Sequence, residues 1–284
     1  MSEYRPAHDP FTPPASRLRG DAPPHARNAA AAGAWIDRGF RLYTASPGPW
    51  VGIALAYLAL QVVLTSLPLV GSLVSSLLGP VLQAGILLGC AAQAKTGRMR
   101  FAALFCAFSH PLLGRLVALG AASLGIYLLA FMSIFLLFAL LFGATLLSAD
   151  GGAADAIASG DPEALASLFG VLAGSGLSLM VVGLLGSVVL FIATAALWLA
   201  PARIVLAGAT ITDALTDSLV ACLRAWPAML LYVPCMLGLL FIACLPLFLG
   251  LLVFVPLFFA SQYAAHEDMF ADSSSKPVAT AHDH

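Results

Sequence analysis

Residues 50–94 read WVGIALAYLALQVVLTSLPLVGSLVSSLLGPVLQAGILLGCAAQA, without one Asp, Glu, Lys or Arg. A helix crosses the hydrocarbon core of a bilayer with about 20 apolar residues. The run is long enough for two crossings, and its middle holds the breakers Pro68 and Gly71. It reads as a hairpin of two spans, 50–67 and 71–93, with Gly79-Pro80 kinking the second. Residues 116–149, 164–202 and 225–266 also carry no charge. The last run is broken by Pro246 and Gly250 and reads as a second hairpin, 227–245 and 248–265. The two middle runs are each too short for two spans and a turn, so each is one long span, 116–147 and 166–199. The expected fold is all-α, a polytopic transmembrane bundle of six spans over 34–266. It has a polar N-terminal tail at 1–33, without the apolar core of a signal peptide, and a flexible tail at 267–284.

Composition agrees. Of 284 residues, 61% are hydrophobic and 10% charged, with a mean hydropathy of +0.96. Soluble domains carry roughly a quarter charged residues. The net charge is −1 and no basic block occurs, which excludes a nucleic-acid binder.

The basic residues set the orientation. Six precede the first span (Arg5, Arg17, Arg19, Arg27, Arg38, Arg41), and Lys95, Arg98, Arg100 and Arg115 lie between spans two and three. Arg203 and Arg224 lie between spans four and five, and Lys276 is in the tail. With six spans, all 13 fall on one side. The loop 148–163 holds only acids, Asp150, Asp155, Asp161 and Glu163. Both termini are thus expected in the cytoplasm and the acidic loop outside, with Asp161 capping a short helix near Pro162.

Three short segments precede spans one, three and five, and each meets a proline (Pro47, Pro111, Pro227). In the first, Trp35, Ile36, Gly39, Phe40, Leu42 and Tyr43 share an arc opposite Asp37 and Arg41, an i,i+4 pair. In the second, Phe101, Leu104, Phe105 and Phe108 form a stripe with Ala103 and Ala107 behind it. In the third, Ile211, Leu215, Leu219, Cys222 and Trp226 face away from Asp213, Asp217 and Arg224, with Thr212 as the expected N-cap. The unit of amphipathic helix, proline turn and span pair occurs three times. Such helices are expected to lie in the membrane interface.

The pattern Trp35-Ile36-x-x-Gly39-Phe40-x-Leu42-Tyr43, followed by Pro47 and Trp50, together with Pro256…Ser261-x-Tyr263…Asp268-x-Phe270, resembles a family of uncharacterised proteobacterial inner-membrane proteins. That family is similar in layout to the group named for the membrane domain of glycerophosphodiester phosphodiesterases. The resemblance covers roughly residues 30–270. It implies a bacterial inner-membrane location and supplies no catalytic residues. The family's polar residue before the Trp that opens span five is replaced here by Ala225.

Chemistry-bearing motifs are sparse. His8, His25, His110, His266, His282 and His284 form no HExxH, and neither GxSxG nor a P-loop occurs. Cys90, Cys106, Cys222, Cys235 and Cys244 form no CxxC and are expected as free thiols. No enzyme, metal or cofactor is expected. Two amides lie within spans, Gln61 and Gln83. They serve either as helix–helix glue or as the lining of a polar cavity. Arg115 and Arg203 flank spans three and four, as positive-inside anchors or as contacts to anionic head groups. Trp50 and Trp226 open spans where an indole favours the interface. Small residues recur at Gly71, Ser75 and Gly79, at Gly85 and Gly89, and at Gly170, Gly174 and Ser178, for close packing or a homo-oligomer face. The expected function is a non-enzymatic envelope protein that binds membrane lipids or a membrane-protein partner. The competing expectation, a facilitative transporter or channel for a small or amphipathic solute, needs a cavity at Gln61 or Gln83.

Overall fold

The computed structural model describes residues 24–67, 70–148, 159, 162, 166 and 176–270. The acidic loop, the Asp161 cap and the Gly170/Gly174 row lie outside the described residues. Among the described residues all regular structure is helical. The elements are α1 (Ala30–Ala45), α2 (Pro47–Thr65), α3 (Val70–Thr96), α4 (Ala103–Cys106) with a following 3-10 turn (Ala107–Ser109) and α5 (Leu113–Ser148). After them come α6 (Gly176–Trp198), α7 (Ala200–Ala207), α8 (Ile211–Arg224), α9 (Trp226–Cys244) and α10 (Leu251–Phe270).

Among the described residues, five stretches are long and apolar enough to cross a membrane: Pro47–Thr65, Val70–Thr96, Leu113–Leu141, Ser178–Ala207 and Trp226–Cys244. The sixth expected span, α10, is outside that set. Its N-terminal half is apolar, but Gln262, His266, Glu267 and Asp268 occupy its last turns.

The chain divides into two compact units, residues 1–122 with 195–284, and residues 123–194. The second contains α5 from residue 123 onward and α6 up to residue 194. Its helices present Leu128, Leu129, Phe135, Leu184 and Ile192 outward. Within it α6 passes α5 at Gly186, where an added Cβ would stand at an ordinary 3.5 Å from Ile134 Cγ1.

The first unit holds three short helices. α4 packs on the last turns of α3, α8 on α7, and α1 along the C-terminal half of α10. α4 and α8 each sit on an element that precedes them, whereas α1 sits on one that follows it by more than 200 residues. The seats are made of small residues. A Cβ on Gly85 would stand 2.6 Å from the Ala103 carbonyl oxygen, and one on Gly89 2.5 Å from the Ala103 Cβ. The Gly85/Gly89 pair is thus the bed for α4. On α1, a Cβ on Gly39 would stand 2.7 Å from the backbone nitrogen of Ser261. α8 turns Ala214, Ser218, Ala221 and Cys222 inward. Gly79, by contrast, has open space around it.

In α4 the stripe is split: Ala103, Leu104 and Ala107 are buried, while Phe101, Phe105 and Phe108 are exposed. Close approach to α3 favours the small face. Two further side-chain expectations are corrected. Trp50 is fully buried rather than interfacial, because Gln93 offers its indole an acceptor inside; Trp226 is exposed. The N-cap of α8 is Thr210, extended in backbone and accepting from the Asp213 N–H at 3.3 Å. Thr212 falls inside the first turn instead.

Candidate functional site

The polar residues of the first unit converge where α3, α6, α7 and α10 meet. α6 is interrupted at Leu199, which caps α7 ahead of Pro201. The interruption is bridged from α8. The Leu199 N–H donates to Ser218 Oγ at 2.9 Å, and that hydroxyl donates to the Ala195 carbonyl at 2.6 Å. A hydroxyl has thus entered the i→i−4 ladder, a recognised cause of helix kinks. The Trp198 carbonyl accepts from Gln262 Nε2, and from Gln83 Nε2 at 3.5 Å. Gln83 also donates to Gln262 Oε1 at 2.9 Å. Three helices are joined by two amides and one carbonyl. Each such bond contributes roughly 0.6 kcal/mol on average within a membrane protein.

Around this knot lie three further contacts. Trp50 Nε1 donates to Gln93 Oε1 at 3.0 Å, and Gln93 Nε2 donates to the Leu42 carbonyl at 2.6 Å. Trp35, Trp198 and Tyr232 form a ring cluster with centroids 5.3–6.3 Å apart, and Tyr232 shares a 2.8 Å hydrogen bond with Ser261. Trp35 Nε1 donates to Asp268 Oδ2 at 2.9 Å, and Arg27 Nε sits 2.8 Å from the same oxygen. The two stretches that carry the family-like pattern are therefore packed on each other, at Trp35–Asp268 and Gly39–Ser261.

Arg203 is buried, with 5% of its side chain exposed. It binds Asp217 at 2.5 Å and lies 4.3 Å over the Phe270 ring. The sequence leaves Asp217 undecided between Arg203 and Arg224; Arg203 takes it. This position corrects the expectation of a head-group contact, because the guanidinium is enclosed by protein. Arg115 is exposed, and its Nη1 donates to the Gly208 carbonyl at 2.9 Å, just past the C-terminus of α7. There a cation favours the helix dipole. Gln61 stands apart in a local pair: its amide donates to the Tyr57 hydroxyl at 3.1 Å and its oxygen accepts from Ser75 at 2.9 Å.

The structure thus brings Gln83 and Arg203 each into a network and leaves Gln61 and Arg115 at separate places. Gln93, Gln262 and Ser218 were not singled out from sequence. The available signal was an amide near the end of an uncharged run, at 93 and again at 262. The cysteines are free thiols. Burial pushes the Cys222 thiol up to about 12.

The surface shows a second constellation. Phe101, Phe105 and Phe108 are 48%, 47% and 39% exposed. Their rings follow one another at 6.4 and 6.3 Å, and Phe101 reaches over Gly52 of α2. Just upstream, Arg98 and Arg100 are exposed. No family model, curated protein or solved structure matches the chain.

Proposed function

We propose that this chain is a non-enzymatic, multi-pass protein of a bacterial inner membrane whose work is to bind lipid or another membrane protein. In this reading α10 is the sixth span, α1, α4 and α8 lie in the cytoplasmic interface, and both termini are cytoplasmic. The layout is then that of the inner-membrane family its aromatic and turn motifs resemble. One observation carries the reading. The amides inside the bundle hydrogen-bond to one another and to backbone, while exposed phenyls and arginines lie together on the surface. Polar groups engaged in this way act as glue between helices. They hold a frame, and the outer surface is where a ligand meets it.

The test is native mass spectrometry of the full chain from mild detergent, paired with solute flux in proteoliposomes. A retained lipid or membrane-protein partner, without flux, is the expected result. A bare mass together with protein-dependent flux would overturn the reading in favour of a facilitator. Topology is checked with an impermeant reagent added from outside, which should modify only 148–163. Modification of the C-terminal tail would remove α10 from the spans.

A further inference from the structure

The three interface helices differ in what their cations do. On α1, Arg41 pairs with Asp37 at 2.9 Å and Arg38 reaches Glu267 at 3.7 Å. At the α8 seat, Arg203 is held by Asp217, and Arg224 donates to the Pro24 carbonyl at 3.0 Å. The α4 segment is built otherwise. From residue 42 to residue 149 the chain contains no Asp or Glu, yet Lys95, Arg98, Arg100 and Arg115 fall within it. Arg115 is engaged by the end of α7. Arg98 and Arg100 stand exposed, two residues apart on either side of the buried Met99. Gly97 precedes them, with a φ of 75°. Immediately after it comes the row Phe101, Phe105 and Phe108, at the i, i+4, i+7 spacing of one helical face.

An arrangement of two exposed guanidiniums at the head of an exposed phenyl row matches an amphiphile with an anionic head and an apolar tail. Guanidinium binds phosphate oxygens in a bidentate fork. Phenyl rings favour the acyl boundary below the head groups. We propose that this surface, formed by Arg98, Arg100, Phe101, Phe105 and Phe108, is a docking site for an anionic phospholipid of the cytoplasmic leaflet. The assignment rests on the reading of the chain as a binding protein and names its ligand class and place. The charge selects the lipid: a zwitterionic head group brings its own cation to the phosphate, and an anionic one does not. A protein helix is a weaker match, since the segment adds two like charges and no acid of its own.

The experiment titrates the full chain in mild detergent with phosphatidylglycerol and, separately, phosphatidylcholine of the same acyl chains, reading bound lipid by native mass spectrometry. The wild type should hold phosphatidylglycerol in preference, and R98Q/R100Q should lose about tenfold to thirtyfold of that preference, from two interfacial charges. Added salt should weaken the preference in the wild type. F105S/F108S should lower binding of both lipids and keep the preference. Melting of each variant in detergent without added lipid should match the wild type, because all four side chains are exposed. An R98Q/R100Q chain that keeps the wild-type preference overturns the assignment. So does a wild type without preference that still retains a zwitterionic lipid or a protein partner, and in that case the broader binding reading stands. A wild type that binds neither lipid nor protein overturns both.

Discussion

α5 and the C-terminal half of α10 invert the usual relation between polarity and burial. α10 carries Ser261, Gln262, Tyr263, His266 and Asp268 in its last turns, and residues from Phe259 to Met269 are largely buried. The Leu113–Leu141 stretch is the more hydrophobic, and only 6% of its most apolar part is buried. In water the hydrophobic helix would be the core. In lipid the apolar surface has little to gain by leaving its solvent, and groups that hydrogen-bond must find protein partners. Hydropathy therefore ranks a segment's fitness for the bilayer and says little about which helix forms the interior.

That contrast can be broken by substitution. The largest effect is expected from size in the α1–α10 seat. Gly39→Val drives two methyl groups into the α10 backbone at Ser261 and should cost at least about 3 kcal/mol, seen as loss of the monodisperse peak when detergent extracts are heated. Gly183→Val on α6, where a Cβ meets open space, should leave the same profile within about 0.5 kcal/mol. Equal losses at both positions would end the comparison.

Next comes the buried charge. Arg203→Met strands Asp217 and should destabilise the chain by about 3 kcal/mol, the low end of the buried-pair range because Asp217 is 28% exposed. Arg203→Met with Asp217→Leu should recover most of that loss. A double variant no better than the single would mean that the Phe270 contact, rather than the ion pair, holds this end of α10.

The amide knot should be milder. Gln262→Leu should cost about 1 kcal/mol, and Gln83→Leu added to it should cost less than it does alone, since the two share one bond. The smallest effect concerns the α8 seat. Burial raises the Cys222 thiol to about 12, so at pH 8 maleimide should label it only after denaturation. The sign of the stability effect follows from the same shift. The unfolded thiol releases its proton near 9.0 and the folded one does not, so this thiol's contribution falls as pH rises from about 9 towards 12. Cys222→Ala should flatten that part of the curve.

Much of the fold was legible from where charge stops. The uncharged runs mark α2, α3, α5 and α9 to within a few residues and α6 at its C-terminal end, the start of that expected span lying outside the described residues, and Pro47 and Pro227 open helices as helix-starting prolines should. The site was less legible, for physical reasons. An amphipathic arc tells which residues differ from their opposite face, not which face approaches a neighbour. In α4 the near face was alanine, because backbone proximity, and not hydrophobicity, selected it. The partner of Asp217 was undecidable because Arg203 reaches it from a helix created by the break at Leu199, a break closed by Ser218, the residue next to Asp217 on α8. The α1–α10 contact joins residues more than 200 positions apart, and no local pattern can encode that distance.

The seat of α1 on α10 also has an order in time. During synthesis α1 leaves the ribosome well before α10, and the paired residues Trp35 and Asp268 are more than 200 positions apart. For most of translation the Trp35–Gly39 face has no partner, while α4 and α8 each find their seat on a segment already made. The α1 seat closes only when the last turns of α10 arrive. A chain that stops before α10 can therefore insert its first spans and still never form the Trp35–Asp268 and Gly39–Ser261 contacts.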